Sequence, residues 1–163
     1  MLPEGYQLRR GSGTERALLV KFMNWAYQEL FPSQRDFSHL AKTVENYLGS
    51  NTPLWWVEAK LEGQKPGQPV ACIWMGNAID QVSGDRYAHI FLLYVSPEHR
   101  GRGIAKALME RAQNWAKARG DRQIGLMVFP SNQPALNLYS RLGYQTQSLL
   151  MVKPLLNERT TQE

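Results

Sequence analysis

The sequence predicts a single α/β domain, in the broader sense of an α+β fold with one mixed sheet flanked by helices. Two observations lead there. Strand-like and helix-like periodicities follow one another in the order β-α-α-β-β-β-α-β-α-β, which packs naturally as helices laid on a sheet. The 163 residues, 43% hydrophobic and 20% charged, suffice for one core, too few for two ordinary domains and too apolar for a disordered chain.

Each element has its own signal. Tyr6 to Arg9 alternates polar and apolar residues and predicts a short opening strand. The turn Gly11-Ser12-Gly13-Thr14 follows, with Thr14 expected as a helix N-cap. Leu18, Phe22, Trp25, Ala26 and Leu30 recur at helical spacing until Pro32 stops the run. A second helix is expected over Phe37 to Leu48, ended by Gly49. Leu54 to Ala59 is aromatic and β-branched, hence a strand, and the Gly/Pro-rich stretch Glu62 to Pro69 a loop. Val70 to Met75 and His89 to Val95 read as strands, with Gln81 to Arg86 looping between them. Gly103 to Arg119 is a helix with the stripe Ile104, Ala107, Leu108, Arg111, Ala112 and Trp115, and Gly120 is its expected C-cap. Gln123 to Phe129 is expected as a strand, Asn132 to Leu142 as a short helix capped by Gly143, and Gln145 to Val152 as a strand or bent strand pair. The domain is thus expected over residues 1–153, with 154–163 a polar C-terminal tail.

Composition excludes several classes. The one cysteine, Cys72, rules out a disulfide framework or a multi-cysteine metal site, and on a strand it reads as a small buried hydrophobe. No apolar run exceeds six residues (Ile90 to Val95), far short of the roughly 20 that span a membrane. The first residues lack the apolar stretch of a signal peptide, so a cytoplasmic protein is expected.

The net charge of +5 is concentrated. From Glu98 to Arg122 seven basic residues (Arg100, Arg102, Lys106, Arg111, Lys117, Arg119, Arg122) face three acidic ones (Glu98, Glu110, Asp121), a local +4. Such a field favours an anionic ligand, nucleic acid or phosphorylated cofactor alike. Acids interrupt this cluster and glycines organise it, unlike the exposed basic and aromatic face of a nucleic-acid binder. The strand His89 to Val95 runs through Ser96-Pro97-Glu98-His99 into Arg100-Gly101-Arg102-Gly103-Ile104-Ala105 and then the helix. A glycine-rich turn opening a helix exposes backbone N–H groups at its positive end, which is an anion site. Lys106 stands where a dinucleotide fingerprint needs its third glycine, and no Gly-Lys-Ser/Thr follows as in a Walker A loop.

The segment Leu93 to Ala105 resembles the acetyl-CoA motif of the GNAT superfamily of N-acetyltransferases, Arg/Gln-x-x-Gly-x-Gly/Ala, through Arg100, Gly103 and Ala105. Asn132 to Tyr144 resembles the family's Asn-x-x-Ala-x-x-Leu-Tyr-x-x-x-Gly-Phe/Tyr motif, in the family's order. The resemblance covers Ile90 to Tyr144, about a third of the chain. It implies a GNAT-like acyl-CoA N-acyltransferase fold and an acyltransferase with acetyl-CoA as co-substrate and no metal. The acceptor implied is a small-molecule or peptide amine. No nucleic-acid or membrane partner is expected, and the state is monomer or homodimer.

The same resemblance implies residue roles. The pyrophosphate of CoA would sit on the N–H groups of Arg100, Gly101, Arg102, Gly103, Ile104, Ala105 and Lys106. The pantetheine arm would run along Leu93, Tyr94 and Val95, where a backbone N–H can polarise the thioester carbonyl. Asn132 has two readings, a contact to pantetheine or a helix cap. Tyr139, seven residues on and nearly two turns away, is implied to face the CoA sulfur and protonate the departing thiolate; otherwise it is a core aromatic on the stripe Ala135-Leu138-Tyr139-Leu142.

The acceptor side offers fewer signals. An amine with a lysine-like pKa of about 10.4 must lose a proton before it attacks. Gly125 to Phe129 carries no acid, unlike the corresponding strand of some family members. Counting back six residues from Val95, where histone-acetyltransferase-like members place a glutamate, gives His89. His89 is read either as a base or as a structural histidine; His39 and His99 are expected on helix and loop surfaces. Trp25, Tyr27, Phe31 and Phe37 are candidates for a pocket wall, and Trp55, Trp56 and Trp74 for the core. Glu29, Asp36, Glu58, Asp80 and Asp85 are candidate amine anchors or plain surface residues. The expectation is acetyl transfer to a primary amine by direct attack in a ternary complex; the alternative is a module that holds CoA without acceptor chemistry.

Overall fold

A computed structural model describes residues 1–60 and 68–156. The elements run β1 (Tyr6–Arg10), α1 (Arg16–Leu30), α2 (His39–Tyr47), β2 (Leu54–Ala59), β3 (Pro69–Ile79), β4 (Arg86–Val95), a 3-10 turn (Pro97–His99), α3 (Ile104–Arg119), β5 (Ile124–Leu126) and α4 (Gln133–Arg141). The five strands form one sheet in the order β1-β2-β3-β4-β5. The first four are successively antiparallel and β5 lies parallel to β4, so the mixed sheet expected from the element order is present.

Strand alternation divides the core. Trp55, Val57, Ala71, Ile73, Met75, Ala88 and Ile90 bury against α3 through Ile104, Leu108, Met109 and Ala112. Leu54, Trp56, Cys72, Trp74, Leu92 and Tyr94 face the other way onto α1 and α2, meeting Leu19, Phe22, Met23, Leu40 and Val44. A strand covered on both faces reads as a continuous apolar run, which accounts for Leu-Trp-Trp-Val in β2.

One irregularity shapes the centre. Trp74 pairs with Leu92 but Met75 with Ile90, leaving Phe91 as an extra residue in β4. Such a bulge bends the strand and re-aims its side chains. Gly76 makes room for the displaced ring, since a Cβ there would overlap Phe91 at 1.8 Å.

Several boundaries differ from expectation. The N-cap of α1 is Glu15, not Thr14, and no side chain caps the helix. The Glu15 carboxylate instead accepts from the Ser12 N–H at 2.9 Å and pairs with Arg9 of β1, which holds its pKa below the usual range. β3 runs four residues beyond Met75, and β5 is three residues long. The expected loop Glu62 to Pro69 lies largely outside the described residues. Gln145 to Val152 forms neither a strand nor a strand pair: residues 145–156 are exposed and without regular structure. The tail expected to be polar exposes Leu155 and Leu156. Among the described residues no helix is long and apolar enough to cross a membrane.

Candidate active site

The parallel pairing of β5 stops early. It matches Ala88, His89 and Ile90 with Ile124, Gly125 and Leu126 and goes no further. From the bulge at Phe91 to Val95, β4 therefore has an edge on the β5 side with no strand partner among the described residues. At the end of that gap the chain turns through Pro97–His99 into α3.

The turn is built to leave amides free. Gly101 and Gly103 have φ of +74° and +84°, where L side chains are strained, and open space lies where their Cβ atoms would be. The first N–H groups of a helix have no intrahelical acceptor, and no side chain caps α3. None of the amides from Gly101 to Lys106 finds an acceptor in the loop, cap or side-chain hydrogen bonds of the described residues. A cleft of about 540 Å³ opens over them, bounded by Val95, by Gly103 to Lys106, and by one face of α4. That face, Pro134, Leu138, Arg141 and Leu142, adds a cation and apolar walls. Its spacing of four, three and one is a helical face legible in the sequence, although only Leu138 and Leu142 belong to the expected stripe.

Arg100 and Gly101 also line the cleft, but the Arg100 side chain is tied down. Its Nε donates to the Val95 carbonyl at 2.8 Å, its Nη2 to both Glu29 carboxylate oxygens at 2.9 and 2.7 Å, and its N–H to Pro97 at 3.3 Å. Tyr94 hydroxyl donates to the same Glu29 at 2.9 Å; burial, then the adjacent carboxylate, push its pKa up to about 12. Leu93 is half-buried on the α3 side, and Val95 lines the cleft. Arg102 donates to the Tyr6 hydroxyl at 3.0 Å and stays exposed, as does Lys106, 4.0 Å from Glu110. His99 corrects the expectation of a surface loop residue. It is 5% exposed, its Nδ1 lies 2.7 Å from the Tyr6 hydroxyl, and its ring meets Tyr6 edge-on.

Asn132 caps α4, its Oδ1 accepting from the Ala135 N–H at 3.4 Å. Tyr139 packs half-buried against the α3-side core, 5.8 Å from the Tyr144 ring. Burial raises its pKa to about 12. It does not line the cleft, but its neighbour Leu138 does.

His89 lies at the last paired stretch of β4, opposite Gly76 on one side and Gly125 on the other. Its ring is half-buried 5.2 Å from Phe91, and burial lowers its pKa. Its Nδ1 is buried without a hydrogen-bond partner among the described residues. The α1 end adds aromatic wall: Phe31 stands 5.0 Å from Phe129, which lies just beyond β5, and Tyr27 stands 6.5 Å from it. Phe37 is buried and Trp25 partly exposed. Asp36 caps the Ser38 N–H, Asp80 the turn at Val82, and Asp85 lies 3.6 Å from Arg122. Glu58 is buried between Gln7 and Arg9, held by bonds of 3.0 and 2.6 Å.

Comparison with known proteins assigns this mixed α/β fold to a family. Residues 19–144 match the acetyltransferase (GNAT) family, so the chain belongs to that family. It is 35% identical over 89 residues, 52% of this chain and 38% of the relative, to an uncharacterized N-acetyltransferase of Methanocaldococcus jannaschii. It is 31% identical over 106 residues, 65% of this chain and 46% of the relative, to N-acetyltransferase 8 of Rattus norvegicus. The chain thus spans less than half the length of these two curated relatives. The crystal structure of a predicted acetyltransferase with acetyl-CoA from Clostridium acetobutylicum shares its fold, with TM-score 0.71 and 23% identity over 91% of this chain and 96% of that one.

Proposed function

We propose that this chain is an enzyme that moves an acetyl group from acetyl-CoA to a primary amine by direct attack. The observation that carries this reading is the run of amides from Gly101 to Lys106 without protein acceptors, opening into a cleft beside an unpaired strand edge. Amides at a helix N-terminus suit a pyrophosphate, and Lys106 and Arg141 add positive charge at the rim. The free edge of β4 offers hydrogen-bonding groups to the amide-containing arm of the same molecule. Acetyl-CoA supplies the activated acyl group.

The chain's own residues divide the remaining work. A backbone N–H on the Leu93 to Val95 stretch would polarise the thioester oxygen as charge grows on it. His89, kept neutral by burial and with an unpartnered Nδ1, is suited to accept the amine's proton, directly or through water. The amine nitrogen bonds to the carbonyl carbon, the carbon–sulfur bond breaks, and the pair goes to sulfur. Tyr139, whose hydroxyl makes no hydrogen bond to a described residue, keeps its proton at neutral pH and donates to that sulfur. The acceptor belongs to the α1–α2 side, where Tyr27, Phe31 and Phe129 form an apolar wall. A cytoplasmic location fits this use of acetyl-CoA.

The test is release of free CoA thiol from acetyl-CoA across a panel of peptides, polyamines, amino acids and amino sugars, beside a thermal-shift assay with acetyl-CoA. Turnover with one amine class is expected. Stabilisation without any thiol release would make the chain a CoA-holding module. No stabilisation at all would remove the acetyl-CoA reading.

A further inference from the structure

Of the polar side chains that line the cleft, His99 alone is buried, whereas Arg100, Lys106 and Arg141 stand in solvent. Its place is fixed from two directions. The Pro97–His99 turn holds its backbone, with the His99 N–H donating to the Ser96 carbonyl at 2.9 Å. Tyr6, on β1 at the other end of the sequence, meets the imidazole edge-on with ring centroids 5.6 Å apart, and its hydroxyl lies 2.7 Å from Nδ1.

The partners of Tyr6 decide which ring nitrogen carries the proton. Arg102 Nη1 lies 3.0 Å from the Tyr6 hydroxyl and can only donate. The hydroxyl accepts that bond and keeps its own proton, for which His99 Nδ1 is the acceptor among the described residues. A neutral imidazole that accepts at Nδ1 carries its N–H at Nε2. The opposite tautomer would leave the hydroxyl proton without an acceptor. Nε2 itself bonds to no described residue, yet it is not sealed in the interior as the Nδ1 of His89 is. A ring 95% buried therefore keeps one donor in reserve, on a cleft whose floor is a run of unbonded amides.

We propose that His99 is a binding residue of this cleft: its Nε2–H donates to a phosphate oxygen of bound acetyl-CoA beside the amides of Gly101 to Lys106, and Tyr6 is the positioning residue that fixes the tautomer. The proposal rests on the acetyl-CoA reading of the cleft. A neutral ring N–H adds a donor of fixed direction without the cost of burying a full charge. Arg102 then acts at one remove. Its bond polarises the Tyr6 hydroxyl, which polarises the imidazole in turn, as in any chain of hydrogen bonds. The opening strand, which carries no part of the glycine motif, is thereby tied to the anion site.

Two substitutions separate the donor from the staple. His99→Asn sets an amide where Nδ1 lies, so it keeps a partner for Tyr6 and loses the donor at Nε2. His99→Gln carries an amide nitrogen out to the Nε2 position and loses the partner of Tyr6. Calorimetry with acetyl-CoA is expected to show about tenfold weaker binding for His99→Asn, the low end for a hydrogen bond to a charged group, and most of the affinity kept by His99→Gln. Full affinity in the folded His99→Asn protein, or an equal loss in both variants, overturns the proposal. Nitrogen-15 NMR of the imidazoles tests it in the unaltered chain, whatever the variants' folding. The Nε2–H tautomer is expected at His99, with an Nε2 resonance that moves on adding acetyl-CoA or inorganic pyrophosphate, and Tyr6→Phe is expected to weaken the tautomer preference. An Nδ1–H tautomer, or an Nε2 resonance unmoved while acetyl-CoA saturates the protein, overturns the assignment of His99 and leaves the acetyl-CoA reading standing. An unaltered chain that binds neither acetyl-CoA nor pyrophosphate overturns both.

Discussion

Arg100 and Glu29 tie the glycine turn to α1, with the guanidinium Nη2 donating to both carboxylate oxygens at 2.7 and 2.9 Å. The same arginine holds the Val95 carbonyl at the end of β4, and Tyr94 shares the carboxylate. The side chain that begins the CoA-motif resemblance is therefore a brace between two halves of the molecule. The Arg100 and Glu29 side chains are 44% and 40% exposed, so solvent screens the pair, and Glu29→Gln is expected to cost no more than about 1 kcal/mol in chemical denaturation.

Arg100 shares the cleft with Lys106 and Arg141, but its guanidinium is already bonded to Glu29 and Val95. Acetyl-CoA affinity is expected to fall with salt, since exposed charges are screened over ~10 Å at 0.1 M. Lys106→Gln and Arg141→Gln should flatten the salt dependence measured by calorimetry. Arg100→Gln should leave the slope nearly unchanged while lowering affinity through a looser β4 end. A slope that flattens most for Arg100→Gln would show that the arginine leaves Glu29 for the phosphates.

Gly103→Glu tests the amide cradle. The position has φ of +84° and open space at its Cβ, so the substitution introduces backbone strain of roughly 1–2 kcal/mol without a clash. A folded protein with a somewhat lower melting temperature is expected. Its carboxylate would stand in the cleft against the phosphates, so calorimetry should register no acetyl-CoA binding. Unchanged affinity in the folded variant would rule out a pyrophosphate at this turn.

Local features were legible in the sequence and distant ones were not. The Gly101 to Ala105 turn, the α3 stripe and the strand Leu54 to Ala59 depend on spacing within a few residues. The burial of His99 depends on Tyr6, 93 residues earlier, and the commitment of Arg100 on Glu29, 71 residues earlier. No local pattern encodes such pairs. Phe91 looked like one more apolar residue in a central strand, because a bulge shows only once β3 is laid beside β4. Gln145 to Val152 suits a strand by residue type, yet it pairs with no described strand, because pairing is set by distant partners and not by local composition.

Tyr139→Phe keeps the ring on the stripe with Leu138 and Leu142 and removes only the hydroxyl. With its pKa raised to about 12, the tyrosine stays protonated across the working range, so no alkaline limb near neutrality should belong to it. The CoA thiolate, conjugate acid near pKa 8.5, is a fair leaving group without full protonation. The expected loss is therefore at the low end of ~10²–10⁴-fold, in single-turnover transfer, with melting temperature and acetyl-CoA affinity nearly unchanged. Full single-turnover activity would leave Tyr139 a core aromatic.

His89 links stability and rate through one proton. Burial lowers its pKa in the folded state below the ordinary value of about 6.5, so the unfolded chain binds that proton more readily. From about one pH unit above that value both states are neutral at this site and it contributes no pH dependence. As pH falls below that value the unfolded state is favoured progressively, until the folded histidine also protonates. His89→Gln is expected to remove this share of the acid destabilisation, seen as a shallower fall of melting temperature on acidification. If His89 also takes the amine's proton, the same variant flattens the acidic limb of kcat/KM and lowers turnover by ~10²–10⁴-fold. A shallower stability profile with an unchanged limb and normal turnover would make His89 structural and leave the proton to water.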